Sequence, residues 1–382
     1  MINKNTIYLD NSATMPLLPS VKERMIEAMD LYGNPSSLYQ LGQDVAHEIK
    51  QAREMIADYI NCDPECIIFN SGGSEGNSQA IISFYEYAVK NGLGNHIITS
   101  QIEHHSVLNA CKYLEEYRGA EVTYLGVDSN GIVRTDDIER FVTNDTCLIS
   151  IMGVNNEIGT IQDMYFIGEI ARYYNALYHS DCVQEFGHVN FDATNVDMFS
   201  MSAHKLGGPK GVGFLYLTKY TPLLPLIHGT QNNSLRGGTY NTLGIIGLAE
   251  AVKQSMDNMY EWNRQILKLT SHMKKRIMAE IPKVKLNGSE RQRTVNNLNF
   301  SFDGIRGEEL MIMLDMRGVC VSTGSACNSD SGEPSYVLKA IGLSDDEANS
   351  SIRITLSQNN TLEEIDYAVD RIKETVDFLR RR

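Results

Sequence analysis

The sequence predicts an α/β protein. It is expected to have a large domain, with a mostly parallel sheet sandwiched by helices, and a smaller α+β C-terminal domain. Two observations carry this. From residue 43 onward, short continuous apolar runs alternate with segments of helical period, the pattern of parallel strands buried on both faces. Toward the C-terminus the pattern changes to a long helix, two strand-like runs and a final charged helix.

Taken in order, "QDVAHEIKQAREMIADYI" places Val45, Ile49, Ala52 and Ile56 on one helical face. "CIIFN" reads as a buried strand and "SEGNSQAIISFYEYAVKN" as the helix after it. The runs "HIITS", "EVTYLGV", "CLISIMGV", "ALYHSD", "DMFSMS" and "GVGFLYL" read as further strands, with helices between several of them. Ile167, Ile170, Ala171 and Tyr174 mark one such helix. The C-terminal part is expected to begin with a helix at about residue 256, followed by strands at "TVNNLNFSF" and "SIRITLS".

A chain of 382 residues can bury a large core and divide into two domains. The charge balance, 34 basic against 48 acidic residues, gives −14 and argues against nucleic acid as an electrostatic partner. "MINKNTIYLD" lacks the apolar core of a signal peptide, and no apolar run approaches membrane-spanning length. Seven scattered cysteines, an odd number, suggest a reducing compartment, so a cytoplasmic location is expected. Cys62 and Cys66 in "NCDPEC" have no second Cys or His pair at zinc spacing; a turn beside a strand is the better reading, and no metal is expected. Cys111, Cys147 and Cys320 read as packing residues, whereas Cys182 adjoins a candidate site.

Ligands of parallel α/β sheets bind beyond the carboxyl ends of the strands. After "IIF" comes "NSGGSEGN", a glycine-rich turn opening a helix, whose amides and Ser74 hydroxyl suit a phosphate. After "HIITS" come His104 and His105, of which at most one is expected to face a shared site. Asn155 and Asn156 follow "SIMGV", Asp181 and Gln184 lie at the end of "ALYHSD" and just after it, and His204 and Lys205 follow "DMFSMS". Each has an ordinary alternative: a capped helix, a satisfied core histidine, a solvated lysine. As a set they match pyridoxal 5'-phosphate, whose aldehyde needs a lysine, its pyridine nitrogen a carboxylate, its ring a stacking partner and its phosphate amides and hydroxyls. A hydrogen bonder such as Gln184 suits the phenolate oxygen.

The motifs "YLDNSAT", "GNPSSL", "SGGSEGN", "EHHSVL", "VNNEIG", "SAHKLGGPKG", "LRGGT", "STGSACNSDSGEPSYVLKAIGL" and "SSIRITL" follow one another along nearly the whole chain. In this order the sequence resembles the cysteine desulfurases of the NifS/IscS group, in the class V aminotransferase superfamily of fold-type I. The resemblance implies a large cofactor-binding domain over residues 14–255. A small domain would comprise 1–13 and 256–382 and carry a catalytic-cysteine loop at about 321–334. It implies Lys205 as the Schiff-base lysine, Asp181 as partner of the pyridinium nitrogen and His104 as the catalytic ring-stacking histidine. Asn156 and Gln184 would lie near the substrate and the phenolate oxygen; Gly73, Ser74, Ser202 and His204 would hold the phosphate. Thr239 would reach the phosphate of a neighbouring subunit, which implies a homodimer. Arg353 would pair with the substrate carboxylate, and Cys327 would be the nucleophile that takes sulfur from L-cysteine, leaving L-alanine. The Ser, Gly and Ala around Cys327 read as a loop able to carry that sulfur to an acceptor protein, an iron–sulfur scaffold or a tRNA-thiolation enzyme.

The chain departs from the family pattern at several places. Asn232 and Asn233 stand where relatives have Glu and Arg, which removes an ion pair expected near the active-site entrance. "DCVQE" replaces "DATQS", so Cys182 and Val183 are expected beside the cofactor ring; Tyr39 replaces a histidine; and "SQNNTLEEID" lacks a second arginine. With "FLRRR" as the last residues, a tail like the one some relatives use on an iron–sulfur scaffold is not expected. A selenocysteine lyase, or another lyase that cleaves a Cβ–heteroatom bond without a relay cysteine, is the alternative reading. An aminotransferase and a non-catalytic scaffold are further rivals, the first disfavoured because nothing obvious reads a second, keto-acid substrate, the second because Lys205, Asp181 and Arg353 are intact.

Overall fold

The computed structural model describes residues 6–323 and 333–382. Seven strands form the central sheet, in the spatial order Ile67–Asn70, Gly213–Leu217, Met198–Ser202, Leu177–Asp181, Thr146–Ser150, His96–Ser100 and Glu121–Leu125. These are the seven runs read as strands in the sequence. Gly213–Leu217 runs antiparallel to both of its neighbours, and the other pairings are parallel. All five residues of Thr146–Ser150, Met198–Ser202 and Gly213–Leu217 are buried. That double-sided burial is why their sequences are continuously apolar and not alternating.

Helices cover both faces. On one, the helix Gln40–Ile60 buries Val45, Ile49, Ala52 and Ile56, the stripe expected from its period, against the first half of the helix Thr242–Glu280. On the other, Phe84, Val107, Cys111 and Leu114 pack on Ile97 and Leu148. Phe214 meets Phe186 and Phe199 edge-on at ring separations of 5.8 Å, and Phe186 and Phe199 stack on each other at 5.9 Å. Each such ring contributes roughly 1.5–3 kcal/mol by its burial.

The long helix begins at Thr242, not near residue 256, because Asn241 caps it through a bond from the Gly244 amide. It runs across both cores, with Ile245 to Val252 in the large cluster and Ile266 to Ile277 in a second one. That second core includes Leu9, Phe300, Leu310, Ile352, Ile354 and Val369. It is built on a three-stranded antiparallel sheet ordered Ser351–Thr355, Asn297–Phe302 and Val284–Leu286. Val284–Leu286 is a strand that the sequence does not announce. Its run has only two apolar residues, and pairing with Asn297–Phe302 makes it a strand. Ile7–Tyr8 pairs in parallel with Val319–Cys320, tying the beginning of the chain to this region. Among the described residues no helix is long and apolar enough to cross a membrane.

Candidate active site

A cavity of about 390 Å³ opens at the carboxyl ends of the central strands. Of the expected residues it brings together Gly73, Ser74, His104, Asn156, Asp181, Gln184, Ser202, His204, Lys205 and Arg353. Cys327 lies outside the described residues. Thr239 is exposed and does not line this cavity in its own chain.

Lys205 ends a 3-10 turn that follows the strand Met198–Ser202. Its Nζ donates to the carbonyl oxygens of Ser12 at 2.5 Å and Ala13 at 2.9 Å. Gln184 Nε2 donates to the same Ser12 oxygen at 3.0 Å. Behind the lysine, His188 Nε2 lies 3.0 Å from the Lys205 carbonyl, so this buried imidazole donates to it and holds the turn. At the strand end, Asp181 accepts from Asn77 Nδ2 at 2.6 Å and from the Val183 amide at 3.0 Å.

The turn expected to hold a phosphate uses backbone that favours glycine. Gly72 has φ +139°, and a Cβ on Gly73 would lie 2.5 Å from Val183 Cγ2. Ser202 and His204 line the same cavity, and the Ser202 Cβ would lie 3.9 Å from a Cβ on Gly73. His204 Nδ1 lies 3.1 Å from Thr14 Oγ1. Burial, with Lys205 and Lys210 adding to it, pushes the His204 pKa down to about 4, so the ring is neutral.

Arg353 arrives from the small antiparallel sheet and is almost fully buried. Nη2 meets Asp10 Oδ1 at 2.8 Å, Nη1 donates to the Asn156 carbonyl at 3.1 Å, and Nε has no hydrogen-bond partner. A guanidinium fixed on one side with a donor free on the other is arranged for a carboxylate.

Three expectations are corrected. Both His104 and His105 line the cavity, because His104 is the extended N-cap and His105 the first residue of the helix His105–Arg118, so the chain turns between them. The His105 ring packs on Tyr336 at 4.8 Å. Cys182 is not beside the cofactor position: it is fully buried in the large core, burial raises its thiol pKa far above the ordinary value, and only Val183 faces the cavity. Asn232 is also buried and does not line the cavity; its Oδ1 accepts from Arg53 Nη2 at 2.9 Å. Asn232, Asn233 and Ser234 all have left-handed backbone, at φ of 47°, 56° and 64°, a conformation asparagine tolerates better than Glu or Arg.

Sequence reasoning does not find Asn77, Glu103, Glu157, Ser335 or Tyr336. Glu103 is fully buried beneath the cavity; its carboxylate accepts from Ser100 Oγ at 2.5 Å and from the Met152 amide at 3.1 Å. Burial nevertheless pushes its pKa up to about 8. Glu157 lines the cavity, accepts from Ser335 Oγ at 2.5 Å and is raised by burial to about 7. The signal for Glu157 and Ser335 was their presence in "VNNEIG" and "GEPSYVL"; the Ser12 and Ala13 carbonyls, being backbone, had none.

The residues present fit pyridoxal phosphate. One cavity is lined by a carboxylate (Asp181), by a glycine turn with Ser74 and Ser202, and by the Lys205 amine, and Arg353 reaches it from the small sheet. Asn156 Oδ1 and Arg353 Nε are buried without partners, as polar groups awaiting a ligand are.

The aminotransferase class-V family model matches residues 7–368. A cysteine desulfurase IscS of Dictyoglomus turgidum is 44% identical over 382 residues, 99% of this chain and 96% of that protein. Among solved structures, a NifS-like protein superposes with a TM-score of 0.91 at 36% identity, covering 98% of this chain and 100% of its own. SspA, solved in complex with cysteine, superposes with a TM-score of 0.83 at 36% identity, covering 93% and 100%. With this site at these strand ends, the chain belongs to the aminotransferase class-V family, within its group of IscS and NifS-like cysteine desulfurases.

Proposed function

We infer that the protein is a pyridoxal-phosphate-dependent cysteine desulfurase, which converts L-cysteine to L-alanine and keeps the sulfur as a persulfide on Cys327. The observation that carries this is the meeting of Lys205, Asp181 and a half-satisfied Arg353 in one cavity. Relatives sharing the fold at 44% identity carry the desulfurase name.

When bound, pyridoxal phosphate supplies an electron sink for bonds broken at the substrate's Cα. Gly73, Ser74, Ser202 and His204 would hold its phosphate, Asp181 the protonated ring nitrogen, Gln184 the phenolate oxygen and His104 the ring face. Lys205 would hold the cofactor between turnovers, and its amine would take the Cα proton of the substrate and later return one. The Arg353 fork binds the substrate carboxylate beside Asn156, which orients the Cβ–sulfur bond. The Cys327 thiolate attacks the substrate sulfur, forming the S–S bond as the Cβ–S bond breaks. The carbon keeps the electron pair, gains a proton and leaves as alanine.

We place the enzyme in a homodimer and in the cytoplasm. Leu17, Ile26, Met29, Tyr32, Leu38, Tyr39 and Leu41 stand exposed along one stretch, an apolar surface suited to a second copy. The six described cysteines are free thiols, in keeping with a reducing compartment. The sulfur acceptor is an iron–sulfur scaffold or a tRNA-thiolation enzyme.

The test is to incubate the loaded enzyme with L-cysteine. Alanine and a peptide spanning Cys327 heavier by one sulfur are expected, and both should disappear together in Cys327→Ala. Alanine formed undiminished by Cys327→Ala would instead assign a lyase without a relay cysteine.

A further inference from the structure

Asp181 and His104 face the same cavity and are joined behind it by two residues to which the mechanism assigns no role. Asn77 Nδ2 donates to Asp181 Oδ2 at 2.6 Å and to Ser106 Oγ at 2.9 Å, and Ser106 Oγ lies 2.8 Å from His104 Nδ1. An ionised carboxylate only accepts, so the Asn77 amide must turn its nitrogen toward Asp181. Both amide hydrogens are then committed. Ser106 Oγ receives one of them, which leaves its own proton to donate to His104 Nδ1.

The backbone gives the same answer independently. His104 is the N-cap of the helix His105–Arg118, and its Nδ1 accepts the Ser106 amide at 3.1 Å. A ring nitrogen that accepts from two donors carries no hydrogen. The positive end of the helix macrodipole also disfavours a charged ring there.

We propose that Asn77 and Ser106 are positioning residues whose hydrogen bonds, directed by the acceptor-only carboxylate of Asp181, end in a donor on His104 Nδ1 and hold its imidazole neutral, with the proton on Nε2. The significance for catalysis rests on the desulfurase reading; the tautomer itself does not. Toward a ligand in the cavity, His104 is then a neutral stacking group and a hydrogen-bond donor. It is neither a cation nor a base at rest, which leaves the proton transfers to Lys205. Burial lowers the His104 pKa first of all, and Lys205 and His105 add to it, while Asp181 opposes them. Protonating Nδ1 would break both bonds it accepts.

The test uses full-length protein labelled with ¹⁵N-histidine, stripped of cofactor and loaded with pyridoxal phosphate. The His104 signals are assigned by their loss in His104→Gln. Wild type and Ser106→Thr, which keeps the hydroxyl, should both show a neutral ring with a pyrrole-like Nε2 and an acceptor-like Nδ1 from pH 6 to 8. Ser106→Ala removes one donor from the neutral form, so its titration should rise by about 0.5–1 pH unit with both tautomers present. Asn77→Ala should mix the tautomers too; because Asn77 is deeply buried, Ser106→Ala is the deciding variant. A wild-type ring protonated on Nδ1 or doubly protonated at pH 7 overturns the proposal, as does a Ser106→Ala spectrum identical to wild type. A chain that takes up no pyridoxal phosphate would overturn the desulfurase reading, and the stripped-protein spectra would still decide this one.

Discussion

Arg353 shows how a single residue joins two demands. Its Nη2 is tied to Asp10 at 2.8 Å and its Nη1 to the Asn156 carbonyl, so the side chain is locked before substrate arrives and little entropy is lost on binding. Arg353→Lys keeps the charge but cannot bridge Asp10, Asn156 and a carboxylate together. It should raise KM for L-cysteine about tenfold or more while pyridoxal phosphate retention, read by absorbance, stays near wild type. An unchanged KM would remove Arg353 from substrate binding. At this scale the sequence was most legible where chemistry demands a particular residue: Lys205, Asp181 and Arg353 all line the cavity. It was least legible where the partner is backbone, as with the Ser12 and Ala13 carbonyls, or where burial decides the outcome. Cys182 adjoins the site in sequence yet faces the core, because the residue after a strand end can turn away from it.

At the level of elements, the turn into the helix Gly73–Ser78 is set by space. A Cβ at Gly73 would lie 2.5 Å from Val183 Cγ2 and 3.9 Å from the Ser202 Cβ. Gly73→Ala should therefore loosen pyridoxal phosphate, visible as faster loss on dialysis, and adding Val183→Ala should restore much of the retention. A double variant as leaky as the single one would mean the glycine is needed for backbone conformation and not for room. The helix after His104 offers a second case. The fully buried Glu103 has its pKa raised to about 8 by burial. The folded state therefore holds a proton that the unfolded chain, titrating near pH 4.3, has released. Glu103 thus subtracts stability progressively as pH rises from about 4.3 to 8. The buried histidine His179, lowered to about 3, acts oppositely and only below about pH 6.5. Urea midpoints should fall from pH 6.5 to 8 in wild type and fall less in Glu103→Gln; parallel curves for the two proteins would show that Glu103 is ionised in the fold. The strands around these turns were readable because burial on both faces forces continuous apolar runs, whereas the edge strand Val284–Leu286 was not, since pairing alone defines it.

For the whole molecule, the site depends on two cores being held at one spacing, and the helix Thr242–Glu280 spans both. The same logic extends to a second chain. The segment leading to Thr239 is anchored to the helix Gly73–Ser78 and the residue after it in its own chain: Arg236 Nε meets Glu75 Oε1 at 2.8 Å, and Gln79 Nε2 donates to the Leu235 carbonyl at 2.7 Å. Thr239 itself is exposed and does not line the cavity of its own chain. If it serves a neighbour's phosphate, the two active sites share residues, and subunit mixing exposes this. A Lys205→Ala chain lacks its own lysine but still offers Thr239; a Thr239→Ala chain keeps its lysine but offers nothing across the interface. In a heterodimer of the two, the Thr239→Ala chain's site contains its own Lys205 and its partner's threonine, and is intact. Random mixing of equal amounts should thus recover about a quarter of wild-type alanine production, against little from either variant alone. Placing both substitutions on one chain and mixing it with wild type reverses the arrangement, spoiling the wild-type site by loss of the incoming threonine. Recovery in the first mixture without loss in the second would fit simple averaging and remove Thr239 from the partner's site. No recovery in the first would leave each subunit self-sufficient, and the exposed apolar stretch from Leu17 to Leu41 would need another occupant.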